Sequence, residues 1–213
     1  LLFLDNPIGT GFSIASTPQE IPRDQHGVAK HLFTAITSFI ALNPTFKSRP
    51  IYVTGESYGG KFVAAIGYYI LKKEAQFQVN LAGVAIGNGL TDPVTQVTTH
   101  ALNAYYSGLI NDKQKTQLEE LQLEAVGLIK EGKWSEARNA RNRVLNLLQK
   151  MTGLATLEDF RRLNSYDKSL VTKFLGNAEV KKALGVNESM VYDQCSDIVN
   201  SAFHEDVMKS VKY

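Results

Sequence analysis

The sequence lacks most of what would place it outside the ordinary globular classes. It holds one cysteine, six prolines and a single tryptophan in 213 residues. One cysteine cannot build a disulfide-stapled miniprotein, and so little proline does not suit a collagenous or low-complexity chain. No apolar run approaches the roughly 20 residues of a membrane-spanning helix. An excess of one charge is missing too: 23 basic and 21 acidic residues leave a net charge of +2, with no lysine or arginine run to concentrate it. A nucleic-acid partner is therefore not expected, and neither is a membrane. The four histidines, at 26, 31, 100 and 204, join no cluster of Cys or carboxylates, so no metal and no cofactor is implied. What is present is 44% hydrophobic residues in a chain long enough to bury a real core.

Residues 1–4 are apolar but lack the flanks and length of a signal peptide, and read as a buried parallel strand entered midway. The far end stops directly after a helical pattern, so the expectation is a segment cut at both ends. Asp24 is placed to cap a helix whose apolar positions run Val28, Leu32, Phe33, Ile36, Phe39 and Ile40. Residues 51–54 are a β-branched and aromatic strand, residues 60–73 a helix, and residues 81–86 a second apolar strand closed by Gly87-Asn88-Gly89. Three strands alternating with two helices predict a parallel, doubly wound α/β sheet with right-handed crossovers. Beyond Pro93 only helical patterns occur as far as about residue 163, which predicts a helical insertion. Short amphipathic helices are expected over 179–184 and 196–208. The expected division is 1–93 as core, 94–165 as insertion and 166–213 as a partial return to the core.

The chemistry centres on Gly55-Glu56-Ser57-Tyr58-Gly59-Gly60-Lys61. A phosphate-binding loop would need a hydroxyl after the lysine to reach Mg²⁺, and Phe62 stands there. The same residues match G-x-S-x-G between a strand and a helix, the spacing of a nucleophile elbow. There a serine in strained backbone geometry projects above the sheet, flanked by Gly55 and Gly59 because side chains would collide. The Tyr58 N–H then points where an oxyanion develops. The bland alternative is a glycine-rich turn that ends a strand. Gly9-Thr10-Gly11 also follows an apolar run, but Ile14 replaces the third glycine of a dinucleotide fingerprint. A base and an acid should follow the serine. Only His100 and His204 do so among the histidines, and both read as surface residues of helices. Cys195 fits either a reducing compartment or a secreted protein whose partner cysteine lies elsewhere.

Four stretches resemble one family in its own order. Leu4-Asp5-Asn6-Pro7-Ile8-Gly9-Thr10-Gly11-Phe12-Ser13, the Ser57 motif, Ile86-Gly87-Asn88-Gly89, and Val180 to Val186 are similar to landmarks of the serine carboxypeptidases, the S10 peptidases of the α/β-hydrolase fold, with the plant-type branch closest. The resemblance implies Ser57 as nucleophile, the Tyr58 N–H as one oxyanion donor, and Glu56 as the residue that binds the C-terminal carboxylate of a peptide or protein substrate. An ionised Glu56 would repel that carboxylate, whereas a protonated one donates a hydrogen bond to it, so acid-favoured activity follows. The family's catalytic Asp and His and its upstream glycine-rich loop have no counterpart in these residues. This segment alone is therefore expected to be inactive. Ile14 replaces a common aromatic, and Tyr192 a frequent Trp. Cys195 resembles a half-cystine, and Asn187-Glu188-Ser189 is a glycosylation sequon; both imply a secretory, secreted or vacuolar, location. The alternatives are an acyltransferase using the same serine, which Glu56 disfavours because that branch often carries Asp there, and a non-catalytic remnant.

Overall fold

The computed structural model describes residues 1–73 and 79–211. The chain divides into two compact units, one of Leu1–Thr91, Ser169–Phe203 and Val211–Tyr213, the other of Asp92–Lys168 and His204–Ser210.

The first unit is built on a parallel pair of strands. Helix α1 (Gln25–Leu42) starts where the Asp24 carboxylate accepts the Gly27 N–H at 2.8 Å, the N-cap that the sequence predicts. Strand β1 (Ile51–Glu56) leads into α2 (Gly59–Lys73), and β2 (Leu81–Gly87) lies parallel to β1, with Val53 opposite Val84 and Glu56 opposite Gly87. Alternation along β1 turns Ile51 and Val53 toward Ile36, Ile40, Ile66 and Ile70 of the two helices, while Tyr52 stays 68% exposed. The apolar faces of α1 and α2 thus close one core against one side of the sheet.

Residues 1–4 correct the expectation of a third strand. They carry no ladder partner among the described residues, and Phe3 is 86% exposed. The chain turns back on itself instead. The Asp5 carboxylate accepts the Phe12 N–H at 2.9 Å, the Ser13 hydroxyl donates to the Asp5 carbonyl at 2.6 Å, and glycine is required at position 11, where φ is 60° and a Cβ would meet Asp5 at 2.3 Å. Apolar character predicts burial, but a strand also needs a neighbour to bond.

The second unit is helical throughout. It comprises α3 (Pro93–Val97), α4 (His100–Tyr106), α5 (Asp112–Lys130) and α6 (Trp134–Thr152). Asn111 and Gln114 cap α5 reciprocally at 3.0 and 2.9 Å, and Gly153 ends α6 in the left-handed conformation. Ala101, Ala104, Leu118, Val144 and Leu148 form its main core. No strand occurs between residues 92 and 168, as the patterning predicts.

The chain then forms α7 (Ser169–Gly176), which the patterning did not predict, α8 (Ala178–Ala183) and α9 (Asp197–Ala202). The single helix expected over 196–208 is two pieces, α9 and a 3-10 turn at Asp206–Met208. Phe203 is buried with Val28 and Val199 in the first unit, whereas Met208 is buried with Ile129 and Ala137 in the second. The apolar periodicity there is the sum of two short patterns that serve different cores.

Gln122, 3% exposed inside the helical unit, accepts the Ala101 N–H at 2.8 Å and donates to the Thr98 carbonyl at 3.2 Å, so it pairs the backbone at the start of α4. Gln122→Leu leaves the buried Ala101 N–H unpaired and removes the partner of the part-buried Thr98 carbonyl. It should destabilise the protein by about 1–3 kcal/mol, read as a lower urea midpoint at unchanged slope.

Candidate active site

Strand β1 ends at Glu56 and α2 begins at Gly59, so Ser57 and Tyr58 make the whole reversal. Ser57 does so at φ 55°, in the left-handed region that costs a residue with a Cβ on the order of 1 kcal/mol or more. Its backbone is gripped from three directions. The Ser57 N–H donates to the Gly87 carbonyl at 3.0 Å, and its carbonyl accepts from the Gly60 N–H at 3.0 Å and the Leu90 N–H at 2.8 Å. Asn88 at φ 42° bends the loop after β2 so that it delivers the Leu90 amide. The side chains of Glu56 and Ser57 are exposed, and the Ser57 hydroxyl has no hydrogen bond among the described residues.

The glycines are required for reasons the spacing only half predicts. A Cβ on Gly55 would lie 2.8 Å from the Gly59 carbonyl oxygen and 2.8 Å from Val63 Cγ2, so Gly55 is sterically obligatory. A Cβ on Gly59 would meet nothing within 4 Å, which corrects the expectation of a collision there. The obligatory partner is Gly60, where a Cβ would come 2.8 Å from Gly89 Cα; one on Gly89 would come 2.2 Å from Ile86 Cγ2. Two glycines let the first turn of α2 touch the loop after β2. That contact makes the Ser57–Leu90 hydrogen bond possible.

Tyr58 is anchored by its ring, edge-on to Phe62 at 5.3 Å and to Phe203 at 5.9 Å. Beneath it Lys61, 1% exposed, holds its ammonium 5.6 Å from the Tyr58 ring centroid. The sequence singles out Lys61 only as part of a phosphate loop. Its three-residue spacing from an aromatic just before a helix was the available signal for this contact.

The 5–13 loop and the Tyr192 region belong together. Gly11 and Asp193 exchange backbone hydrogen bonds at 2.7 and 3.2 Å, and Phe12 packs edge-on to Tyr192 at 5.2 Å. Burial, then the charges of Asp5 and Cys195, raises the Tyr192 phenol above its ordinary pKa. Ile14 is 67% exposed, and Cys195 is free and exposed. Asn187 is exposed, and its side-chain oxygen accepts from the Ser189 N–H at 2.9 Å and the Ser189 hydroxyl at 2.8 Å. Buried Lys181 holds that turn by donating to the Glu188 and Met190 carbonyls at 2.9 and 2.5 Å.

The two later histidines lie in the helical unit. His204 is not the exposed helical residue expected: it sits in a turn, half-buried, 2.6 Å from Arg138. Burial, then the positive charge of Arg141, lowers the His100 pKa, so its imidazole is held neutral. Among the described residues no group of three or more His, Cys, Asp or Glu could hold a metal ion, and no helix is long and apolar enough to cross a membrane.

Comparison with known proteins gives these features a context. The profile of the family described as serine carboxypeptidase matches residues 1–213. The chain is 55% identical over 213 residues to "Serine carboxypeptidase-like 50" of Arabidopsis thaliana, covering all of this chain and 48% of that protein. It is 33% identical over 223 residues to "Probable serine carboxypeptidase CPVL" of Homo sapiens, again over all of this chain and 46% of that protein. Among solved structures, the Kex1(delta)p prohormone-processing carboxypeptidase of Saccharomyces cerevisiae matches with a TM-score of 0.80 at 22% identity, over 98% of this chain and 51% of that one. The chain spans about half the length of the curated relatives it matches.

The glycine geometry makes a paired prediction. Gly60→Ala should lower the urea midpoint by the equivalent of about 1–3 kcal/mol, because backbone rather than a flexible side chain must yield. Gly59→Ala, into open space, should change stability by less than about 1 kcal/mol. Equal losses in the two variants would contradict the contact between α2 and the loop after β2.

Proposed function

The chain belongs to the serine carboxypeptidase family, with the α/β-hydrolase fold of that family, and from this premise we propose that it carries the nucleophile portion of a carboxypeptidase centred on Ser57. The observation that carries the reading is the Ser57 backbone, a serine at φ 55° between a parallel strand and a helix with its side chain exposed. In this reading Ser57 Oγ attacks the last peptide carbonyl of a substrate. Its proton passes to a general base and then to the leaving amino acid, and water hydrolyses the resulting ester. The Tyr58 N–H, at the positive end of α2, stabilises the developing oxyanion. Glu56, next to the serine and exposed, donates a hydrogen bond to the substrate's terminal carboxylate when protonated. The base and its orienting acid come from outside these 213 residues, and this segment alone turns over no peptide. A secretory location accompanies the reading, supported by the exposed Asn187 sequon, which would carry a glycan.

The test is release of C-terminal amino acids between about pH 4 and pH 8. It uses the 213-residue chain and a full-length chimera in which the segment replaces the matching half of the Arabidopsis relative. The chimera should be active, and Ser57→Ala should lower its turnover on the order of 10⁴- to 10⁶-fold. Activity should decline as pH rises across this range. Glu56→Gln, which keeps a neutral donor at every pH, should flatten that decline. Activity in the isolated chain would assign the base to His100 or His204. A chimera that transfers acyl groups from acylated sugars but releases no amino acid would move the assignment to acyl transfer.

A further inference from the structure

The helical unit holds a cluster of basic side chains that the proposed peptidase chemistry does not use. Arg138 and Arg141 lie three residues apart on α6, hence on neighbouring positions of one face. Arg141 is four residues after Ala137 and three before Val144, both 0% exposed, so its stem runs along the buried ridge of the helix. His100 opens α4, whose Ala101 and Ala104 pack against Val144 and Leu148 of α6. His204 comes in just before the turn that buries Met208 against Ala137.

Two features of this cluster need explaining. First, the Arg138 guanidinium, which can only donate, lies 2.6 Å from His204 Nδ1. One guanidinium N–H is thus met by an imidazole nitrogen. Second, Arg141 is half-buried, and no hydrogen bond or ion pair reaches it among the described residues. Burial first and the like charge of Arg138 second lower its pKa, and no carboxylate offsets either effect. Three acidic groups of neighbouring elements have other partners: Glu124 of α5 pairs with Arg143 at 2.5 Å, Glu205 with Lys209 at 3.9 Å, and buried Asp206 has a partner of its own.

A charged side chain partly withdrawn from water without a counter-ion carries a desolvation cost, and charged residues are rarely buried fully unless they are paired. We propose that Arg141, together with Arg138 and His100, forms a binding site for a small oxyanion, a carboxylate or phosphate group with two oxygens to meet the planar fork. The fork presents parallel N–H donors that match either group bidentately, which a lysine in the same place would not do. The site lies wholly within the helical unit and is independent of Ser57.

Thermal unfolding of the 213-residue chain at pH 7.5 tests this, with sodium chloride replaced at constant ionic strength by phosphate in one arm and by an N-acetylated dipeptide with a free C-terminal carboxylate in the other. A saturable rise in Tm of about 3–6 °C is expected at ten times the dissociation constant. The arm with the tighter midpoint identifies whether the oxyanion is inorganic or a peptide terminus. Arg141→Gln should abolish the rise and, in chloride, melt no lower than the parent. Arg141→Lys should weaken the response at least several-fold, while Arg161→Gln, which removes an exposed cation of the same unit, should leave it unchanged. No rise beyond chloride in either arm, an equal rise in Arg141→Gln, or a lower melting point of that variant in chloride would each overturn the proposal.

Discussion

The left-handed backbone of Ser57 is the constraint on which the first unit depends. A residue with a Cβ stays in that region only when its surroundings over-determine it. Here the surroundings are the β1–β2 register, which sets Gly87 beside the elbow, and the loop of Asn88, Gly89 and Leu90, which returns to bond the Ser57 carbonyl. The loop can come that close only because Gly60 and Gly89 carry no side chains. Helix α2 is held in turn by Ile66 and Ile70 against α1 and the sheet. Strand register, helix packing and loop curvature therefore converge on one φ angle, and the exposed hydroxyl of Ser57 is their product.

The helical unit works by different physics. Its stability comes from local caps, an antiparallel helix pair and small residues that let helices approach, with Ala101, Ala125, Ala137 and Ala140 all 0% exposed. Its polar interior is economical. Gln122 serves two backbone groups at once, and the exposed acidic residues largely pair with cations near them in the chain. Against that background Arg141 stands apart, half-buried and with no hydrogen bond or ion pair among the described residues.

Much of the fold was legible because its signals are local. The Asp24 cap, the one-sided spacing of α1, the β-branched run of β1 and the glycine spacing around Ser57 each act within a few residues, and each appears where patterning predicts it. The failures share one cause. Residues 1–4 are apolar enough for a strand but have no ladder partner among the described residues. Residues 196–208 read as one amphipathic helix because Val199, Phe203 and Val207 recur at four-residue spacing, yet Phe203 and Val207 join separate cores. His204 reads as exposed since nothing nearby in sequence announces Arg138, which lies 66 residues away.

The elbow shows the same boundary at atomic scale. The sequence alone determined that a serine stands at a strand-to-helix reversal, since that follows from hydrophobic period and glycine position. It also determined family membership, which the four ordered motifs already implied. Only the tertiary structure decided which glycines are obligatory, exempting Gly59 and implicating Gly60 and Gly89, and only it placed Lys61 under the Tyr58 ring. The physical reason is that a pattern records what each residue prefers within its own turn or strand. Close approach, burial of a charge and the pairing of distant groups depend on which surfaces meet, and that is settled only when the chain has packed.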